Sequence, residues 1–287
     1  MSIIDLYKPD DNGNDNASPV NIYYKESYEQ LELDNHFHNS YEIIYIVDGK
    51  VNFSIYGKEY NAISGNLIFI NNFENHNLRV LTFPYKRYYI LIDPTWFQSV
   101  INDPVILSIF KNRPPHFEHN ITLDANMQGL VISLFNQILS EIENREAFWE
   151  ILVKSYLQKF FVLLYRNSSD VFPLRTYNSS METVFNVQKY IEENCTEEIN
   201  LKKLSELFYI DMYYLSRLFK ETTGFKFKEY LILQRISRAK DRLFYANDSI
   251  TKVCMDSGFN NVNHFIRIFK KYTGTTPHKY RLMNRST

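Results

Sequence analysis

Cysteine is nearly absent from these 287 residues: there are two, and Cys195 and Cys254 stand far apart in apolar company. Neither number nor spacing supports a disulfide framework or a thiolate metal site, so both are expected as buried thiols in a reducing compartment. No run approaches the roughly 18 apolar residues that span a bilayer. The opening MSIIDLYKPDDNGNDNASP is too polar to be a signal peptide, so the protein is expected in the cytoplasm without a membrane partner. Net charge is scarce too: the formal total is -1, which alone argues against a nucleic-acid partner.

The distribution of charge points the other way. Residues 181–287 hold 18 Lys and Arg against 12 Asp and Glu, whereas residues 1–180 hold 14 against 21. A basic carboxyl-terminal third behind an acidic front is the electrostatic footprint of a DNA-binding module attached to something else. What the chain has in excess is aromatic, 22 Tyr and 22 Phe, so its cores and any pocket are aromatic-rich. Its length suits two domains, each with its own core.

The stretch ITKVCMDSGFNNVNHFIRIFKKYTGTTPHKYR, residues 250–281, organises the rest. Ile250, Val253, Cys254 and Met255 predict a short amphipathic helix ending at Gly258. Asn260 or Asn261 can cap a second helix, because a short amide oxygen accepts from an unpaired N–H of the first turn. Val262, Phe265, Ile266, Ile268 and Phe269 supply its buried side, and Asn263, Arg267, Lys270 and Lys271 face out. Gly274 stops the helix and Pro277 starts the next. Two helices around a Gly-containing turn, the second carrying amides and Arg, form a helix-turn-helix whose second helix enters a major groove.

This stretch closely resembles the signature of the AraC/XylS family of bacterial transcription regulators. The shared positions are Gly258 and Phe259, Phe265, Arg267, Phe269 to Lys271, Gly274, Thr276 with Pro277, and Tyr280 with Arg281. His264 stands where the family favours Tyr and Cys254 where it favours Ala, changes of size at packed sites.

A second reading head precedes it. Val184, Val187, Tyr190 and Ile191 mark a leading helix, and Leu201, Leu204 and Leu207 a positioning helix. Asp211 is placed to cap MYYLSRLFKETTG, which stops at Gly224. Leu215, Leu218 and Phe219 form its buried side, leaving Tyr213, Ser216, Arg217 and Lys220 outward. The run from Leu215 to Lys220, with Gly224, Phe227 and Tyr230, again resembles the family. The expected heads are residues 201–224 and 250–273, joined by a helix over 226–244 in which Arg235, Ile236 and Ala239 match the family's connecting helix. Its eighteen residues 227–244 span roughly 27 Å at about 1.5 Å each, a rod able to set two recognition helices in adjacent major grooves about 34 Å apart.

Arg217 and Arg267 hold equivalent places, and each can bond guanine bidentately. Tyr213, Ser216 and Asn263 complete the expected base-reading set, while Lys220, Asn261, Lys270 and Lys271 suit phosphates. Arg235 and Arg281 are better placed for structural bonds.

The front of the chain is written differently. Residues 1–20 read as a polar tail. From 21 to 122, short Ile, Val, Tyr and Phe-rich runs break at Asp48-Gly49, Gly57-Lys58 and Ser64-Gly65, as in consecutive hairpins of a β-barrel. His36, His38, Glu42 and Gly49, with Gly65 and His76 later, resemble the motifs of the cupin barrel, the second weakened by Asn71 and Phe73 where Pro and Gly are usual. Cupins commonly form the sensor of AraC-type regulators, so the two resemblances support each other. Alternation along a strand puts His36, His38 and Glu42 on one face. Together with His76 they are ligands for a divalent transition metal, anchors for an effector such as a sugar, or structural groups at the barrel mouth. The family often keeps the barrel and loses the metal, so no cofactor is expected.

Residues 123–165 turn helical, with Leu130, Leu134, Ile138 and Ile142 in one helix and Phe148, Leu152, Tyr156 and Phe160 in another. They pair two subunits, as the resemblance implies, or cover the barrel. Residues 166–180 read as a linker to the DNA-binding domain, 181–287. The fold class is therefore α+β, a cupin-like barrel with helices followed by an all-α double helix-turn-helix domain. The expected function is that of a ligand-responsive transcriptional activator, a homodimer that binds double-stranded promoter DNA, a small metabolite and RNA polymerase, and not an enzyme. The alternatives are a metal-dependent cupin enzyme fused to a DNA-binding domain, and a constitutive DNA-binding protein whose barrel only dimerises.

Overall fold

The computed structural model describes residues 18–111, 113, 117–173 and 179–285. Residues 1–17 of the expected tail, 1–20, and the middle of the expected linker, 174–178, lie outside the described residues, and Val20, expected in the tail, is buried in the first strand. Backbone contacts divide the chain into two units, Met1–Thr176 and Tyr177–Thr287.

The first unit is built on seven strands: β1 (Val20–Ser27), β2 (Glu32–His36), β3 (Tyr41–Ile55), β4 (Lys58–Ile63), β5 (Asn66–Ile70), β6 (His76–Ile92) and β7 (Asn120–Thr122). All pairings are antiparallel, in the order β1-β6-β3-β5-β7 with β2 also on β6 and β4 also on β3. The two long strands carry the barrel. The first half of β3 pairs with β5 and the second with β4, while β6 runs beside both halves.

Asp48-Gly49 is not a hairpin turn, as the sequence suggested, but a bulge inside β3, where the register against β6 shifts. Gly49 has φ 90°, and a Cβ there would come within 2.6 Å of the Pro84 carbonyl oxygen. The bulge bends the strand so that it serves both sides of the barrel. The turn into β4 comes at Tyr56 and Gly57, φ 49° and 77°, the two positive values a tight hairpin demands.

Side chains alternate between two apolar layers. Ile44, Ile46, Val51, Phe53, Ile55, Ile68, Ile70, Tyr85 and Tyr89 fill the barrel. Tyr41, Tyr45 and Tyr88 face the other way, onto α1 (Pro94–Val100), α2 (Pro104–Leu107), α3 (Ala125–Asn144) and α4 (Trp149–Asn167). There Tyr41 stacks on Phe110 at 4.3 Å, Tyr88 meets Phe135 at 5.8 Å and Phe97 meets Phe161 at 5.1 Å. Part of the aromatic excess lies in this second layer.

The buried sides of α3 and α4 differ from the expected stripes. Met127, Val131, Leu134, Phe135 and Ile138 are buried on α3, and Val153, Leu157, Phe160, Phe161 and Leu164 on α4, whereas Leu130, Phe148 and Leu152 are exposed. A strict four-residue step advances about 40° beyond a full turn, so such a row walks off the buried face. The linker also starts later than expected. Helix α4 continues to Asn167, a 3-10 turn covers Ser169–Val171, and buried Phe172 meets Tyr165 edge-on at 5.2 Å.

The second unit is helical: α5 (Ser179–Asn194), α6 (Leu201–Leu207), α7 (Met212–Thr223), α8 (Phe227–Tyr245), α9 (Ile250–Asp256), α10 (Val262–Thr273) and α11 (Pro277–Arg285). Asn200, Asp211, Ser249 and Asn261 cap α6, α7, α9 and α10, each accepting from a first-turn N–H. Helix α8 places Ile236, Ala239 and Leu243 against Val253, Cys254, Phe265 and Phe269, so the second head packs on the connecting helix; Met255 is exposed instead. Arg235 is structural, as expected: its Nε and Nη2 donate to the carbonyls of Cys195 (2.7 Å) and Glu197 (2.8 Å). Arg281 Nη2 likewise donates to the Asp248 carbonyl at 2.6 Å.

Gly258 lies against this fastening. With φ +85°, a Cβ there would approach Thr196 Cα to 2.8 Å and Arg235 Nε to 2.9 Å, whereas at Gly224, φ +79°, it would meet open space. Gly258→Ala is therefore expected to lower unfolding free energy by about 2–5 kcal/mol and Gly224→Ala by only about 1–2 kcal/mol. Urea denaturation of the two variants checks the difference; equal losses would mean that the close approach carries no energy.

Candidate functional site

Helices α7 and α10 are one design used twice. Fifty positions apart, Asp211 and Asn261 cap, Leu215 and Phe265 are buried, Phe219 and Phe269 are buried one turn on, and Gly224 and Gly274 end the helix in the left-handed region. Even the exits match. The Thr223 hydroxyl donates to the Phe219 and Phe225 carbonyls, and that of Thr273 to those of Phe269 and Thr275. An i, i+4 pair of buried residues anchors one side of each helix and commits the opposite side to solvent.

That free side carries the expected base readers. Tyr213, Arg217, Asn263 and Arg267 are exposed and Ser216 is half-buried. Lys220, Lys270 and Lys271 are exposed at the carboxyl-terminal ends. Asn261 is exposed as well, but its Oδ1 accepts from the His264 N–H at 2.8 Å; only its amide nitrogen is left for a phosphate. Val262, Ile266 and Ile268 are half-buried, less enclosed than expected.

His264, expected at a packed site, is exposed. Arg267 Nη2 donates to its Nδ1 at 3.2 Å, and in the first head Arg217 lies over the Tyr214 ring at 5.6 Å. In both heads a ring three residues earlier, one helical turn back, steadies the arginine. The signal was available in the sequence as an aromatic or imidazole before each buried anchor.

In the barrel, His36, His38, Glu42 and His76 do come together, though not along one strand. Strand β2 ends at His36 and β3 begins at Tyr41, so His38 arrives from the connection between them, and His36 and His76 are cross-strand partners. Glu42 accepts from His38 Nε2 at 3.0 Å and faces His76 Nε2 at 3.4 Å. Each imidazole is also turned by the backbone: Nδ1 of His36 and His76 meets the Asp34 and Glu74 carbonyls at 2.9 and 2.8 Å, and that of His38 lies 3.1 Å from the Ser40 carbonyl and 3.3 Å from the Ser40 N–H. Burial would raise the Glu42 carboxyl, but the two imidazoles outweigh it and hold the group well below the usual carboxylate range. Burial, with the neighbouring rings, lowers His36 to about 3. Burial would lower His76, yet Glu42 raises it overall.

The same arrangement fits a metal ion. One ligand atom from each of the three histidines lies within 4.8 Å of the others, and the Nδ1-to-carbonyl bonds are the outer contacts that orient metal-binding imidazoles. Phe73 stands where the cupin motif usually has Gly. It adopts φ 64°, so the departure keeps the backbone turn, and its N–H donates to the His38 carbonyl at 2.8 Å.

A second buried cluster backs the first and was not anticipated. Glu74 accepts from Arg113 Nη1 at 2.8 Å and from the Asn71 N–H at 2.7 Å, and it faces His119 Nε2 at 3.4 Å; the Tyr60 hydroxyl bonds His119 Nδ1 at 2.8 Å. Glu74 thus joins the His76 side of the barrel to the segment leading into β7. Only its position two residues before His76 hinted at this.

A barrel-like sheet followed by two helix-turn-helix units defines a transcription regulator with a sensor. Comparison with known proteins agrees. Residues 19–161 match the family described as AraC-like ligand binding domain, and residues 204–283 the helix-turn-helix domain family. The transcriptional activator RhaS of Pectobacterium carotovorum is 24% identical over 262 residues, 91% of this chain and 92% of that protein. The bifunctional transcriptional activator and DNA repair enzyme AdaA of Bacillus subtilis is 34% identical over 99 residues, 34% of this chain. The chain spans less than half of AdaA's length, 47%. Among solved structures, ToxT of Vibrio cholerae bound to an unsaturated fatty acid shares the fold, with TM-score 0.59 and 17% identity over 93% of this chain and 96% of that one. The chain belongs to the AraC/XylS family of transcriptional regulators.

Burial alone would raise the Glu74 carboxyl, but Arg113, His119 and the Asn71 N–H hold it down to about 2. A carboxylate lowered in the fold stabilises above its unfolded value, near 4.5, and loses that contribution as pH falls toward the folded one. Glu74→Gln, which strands Arg113, should lose about 3–5 kcal/mol at pH 7. Its deficit against the parent should shrink between pH 4.5 and 2, measured by urea unfolding across pH. A deficit that does not change with pH would show that Glu74 acts by shape alone.

Proposed function

We propose that this protein is a ligand-responsive transcriptional activator that reads two adjacent major grooves of promoter DNA with α7 and α10 and senses a small metabolite in its barrel. The carrying observation is the repetition of one recognition unit at fifty residues' spacing, with the same caps, buried anchors and solvent face. Helix α8, 19 residues and so about 28 Å long, is a strut of the size that neighbouring half-sites call for. Arg217 and Arg267 read guanine, Tyr213, Ser216 and Asn263 read neighbouring base edges, and Lys220, Lys270, Lys271 and the Asn261 amide hold phosphates. The effector binds one arrangement of the protein better than another and shifts promoter occupancy or contact with RNA polymerase accordingly. His36, His38, Glu42 and His76 are its polar contacts in the barrel. RhaS and AdaA, both named as activators, support activation rather than repression.

The second reading is a metal-loaded barrel with catalytic activity, favoured by the three converging imidazoles. Metal analysis of the purified chain decides it: a stoichiometric transition metal lost in His38→Ala would favour the enzyme. A homodimer is proposed through α3 and α4, where Phe148, Ile151 and Leu152 are 77%, 60% and 39% exposed. Apolar residues of that size grouped on one surface mark a contact.

Arg267→Ala should relax base preference at one operator position at a cost of about 1–3 kcal/mol, whereas Lys271→Ala should weaken all sequences alike and reduce the salt slope by about one. Selection from a randomised duplex pool, followed by titration at several salt concentrations, checks both. If the two variants bind every sequence as the parent does, the reading face is misassigned. Ile151→Glu should give a monomer that melts like the parent, measured by sedimentation; a dimer that survives the change places the interface elsewhere.

A further inference from the structure

The barrel interior holds a cation that the fold does not neutralise. Arg87 lies on β6 between Tyr85 and Tyr89, and those two neighbours of the same parity belong to the barrel core; Arg87 itself is 3% exposed. Its Nη1 donates to the Ser27 hydroxyl at 2.9 Å and its guanidinium lies over the Tyr85 ring at 4.5 Å. Neither partner is charged, and among the described residues no carboxylate forms an ion pair with it. Lys86, on the other face of the strand, has Glu26 at 3.4 Å. Of the two buried carboxylates of the barrel, Glu42 is engaged by His38 and His76 and Glu74 by Arg113. A guanidinium is a cation that the fold must answer, and burying it without an opposite charge is unfavourable.

A second polar group there also lacks a partner. The Tyr85 hydroxyl is fully buried and makes no hydrogen bond, and burial pushes its ionisation up, so it remains a donor. A guanidinium fork and a hydroxyl donor side by side, both withdrawn from water, are the groups that a carboxylate or phosphate takes up. A neutral sugar would use the hydrogen bonds and leave the charge standing.

Resting on the sensor function proposed above, we infer that the effector is a small organic anion whose oxyanion is bound inside the barrel by Arg87, with the Tyr85 hydroxyl as second donor. Binding then stabilises the barrel by neutralising its stranded charge. A corollary needs no ligand: Arg87 is retained at the expense of the barrel's stability, and an apolar isostere relieves that strain.

The test is thermal melting of the full chain at fixed ionic strength with matched probes: benzyl alcohol against benzoate, and glucose against glucuronate and glucose 6-phosphate, with acetate and inorganic phosphate as minimal anions. In the parent, at least one anionic probe should raise the Tm saturably while its neutral partner does not, and the carboxylate and phosphate arms tell the two kinds of anion apart. Arg87→Met should abolish that response, an affinity loss of about a hundredfold, and should melt no lower than the parent without probe. Tyr85→Phe, which keeps the ring, should need about tenfold more anion. The inference is overturned if Arg87→Met melts lower without probe, if anions act equally on both proteins, or if no anionic probe shifts the parent. A neutral probe that stabilises parent and Arg87→Met alike would refute the anion while leaving an effector-binding barrel in place. Failure of the parent to bind DNA would instead defeat the regulator.

Discussion

The burial of two side chains one turn apart, Leu215 with Phe219 and Phe265 with Phe269, is the constraint on which the DNA-binding unit depends. A twelve-residue helix is too short to be stable alone, so each recognition helix exists because its anchors enter a core. In the second head that core includes α8, so the connecting helix holds up α10 as well as spacing the heads. Arg235 extends the same logic, since its bonds to two carbonyls tie α8 to the turn between α5 and α6. The polar face of each recognition helix is exposed as a consequence of what the opposite face must bury.

In the barrel the controlling interaction is electrostatic. Glu42 and Glu74 are both buried carboxylates, stable only because imidazoles and a guanidinium meet them. They are linked through His76, which faces Glu42 by one ring nitrogen and the Glu74 carbonyl by the other. A change in charge at the first carboxylate therefore acts on His76, whose other ring nitrogen is held by the backbone of the residue that carries the second carboxylate. Such a chain gives a sensor something to move when a ligand arrives.

Much of this was legible in the sequence, and the failures have identifiable causes. The heads were readable because caps, anchors and stop glycines are local: Asp211, Phe219 and Gly224 act within a few residues of one another. The four barrel residues were readable by type and spacing, but not by how they meet, because His38 belongs to a connection and His76 comes from a strand forty residues on. Gly49 misled because a glycine with positive φ serves a bulge as well as a turn, and only the pairing of β3 with β6 decides. Leu130 and Leu152 misled because an apolar side chain on a helix can face a core or a partner. Arg113 and His119 gave no signal, since their partner Glu74 is far away in the chain. Arg87 directly follows Lys86, and only the fold shows which of the two cations points inward and whether a carboxylate answers it.

Because β3 and β6 each pass through both halves of the barrel, no half can come apart while the other stays closed. The amide protons of residues 41–55 and 76–92 are then expected to exchange with solvent as one slow population, opening only with the whole sheet. A metabolite seated at one end would slow deuterium uptake at the other. For this architecture, isotope labelling that reports on a distant strand would be no sign of a second binding place.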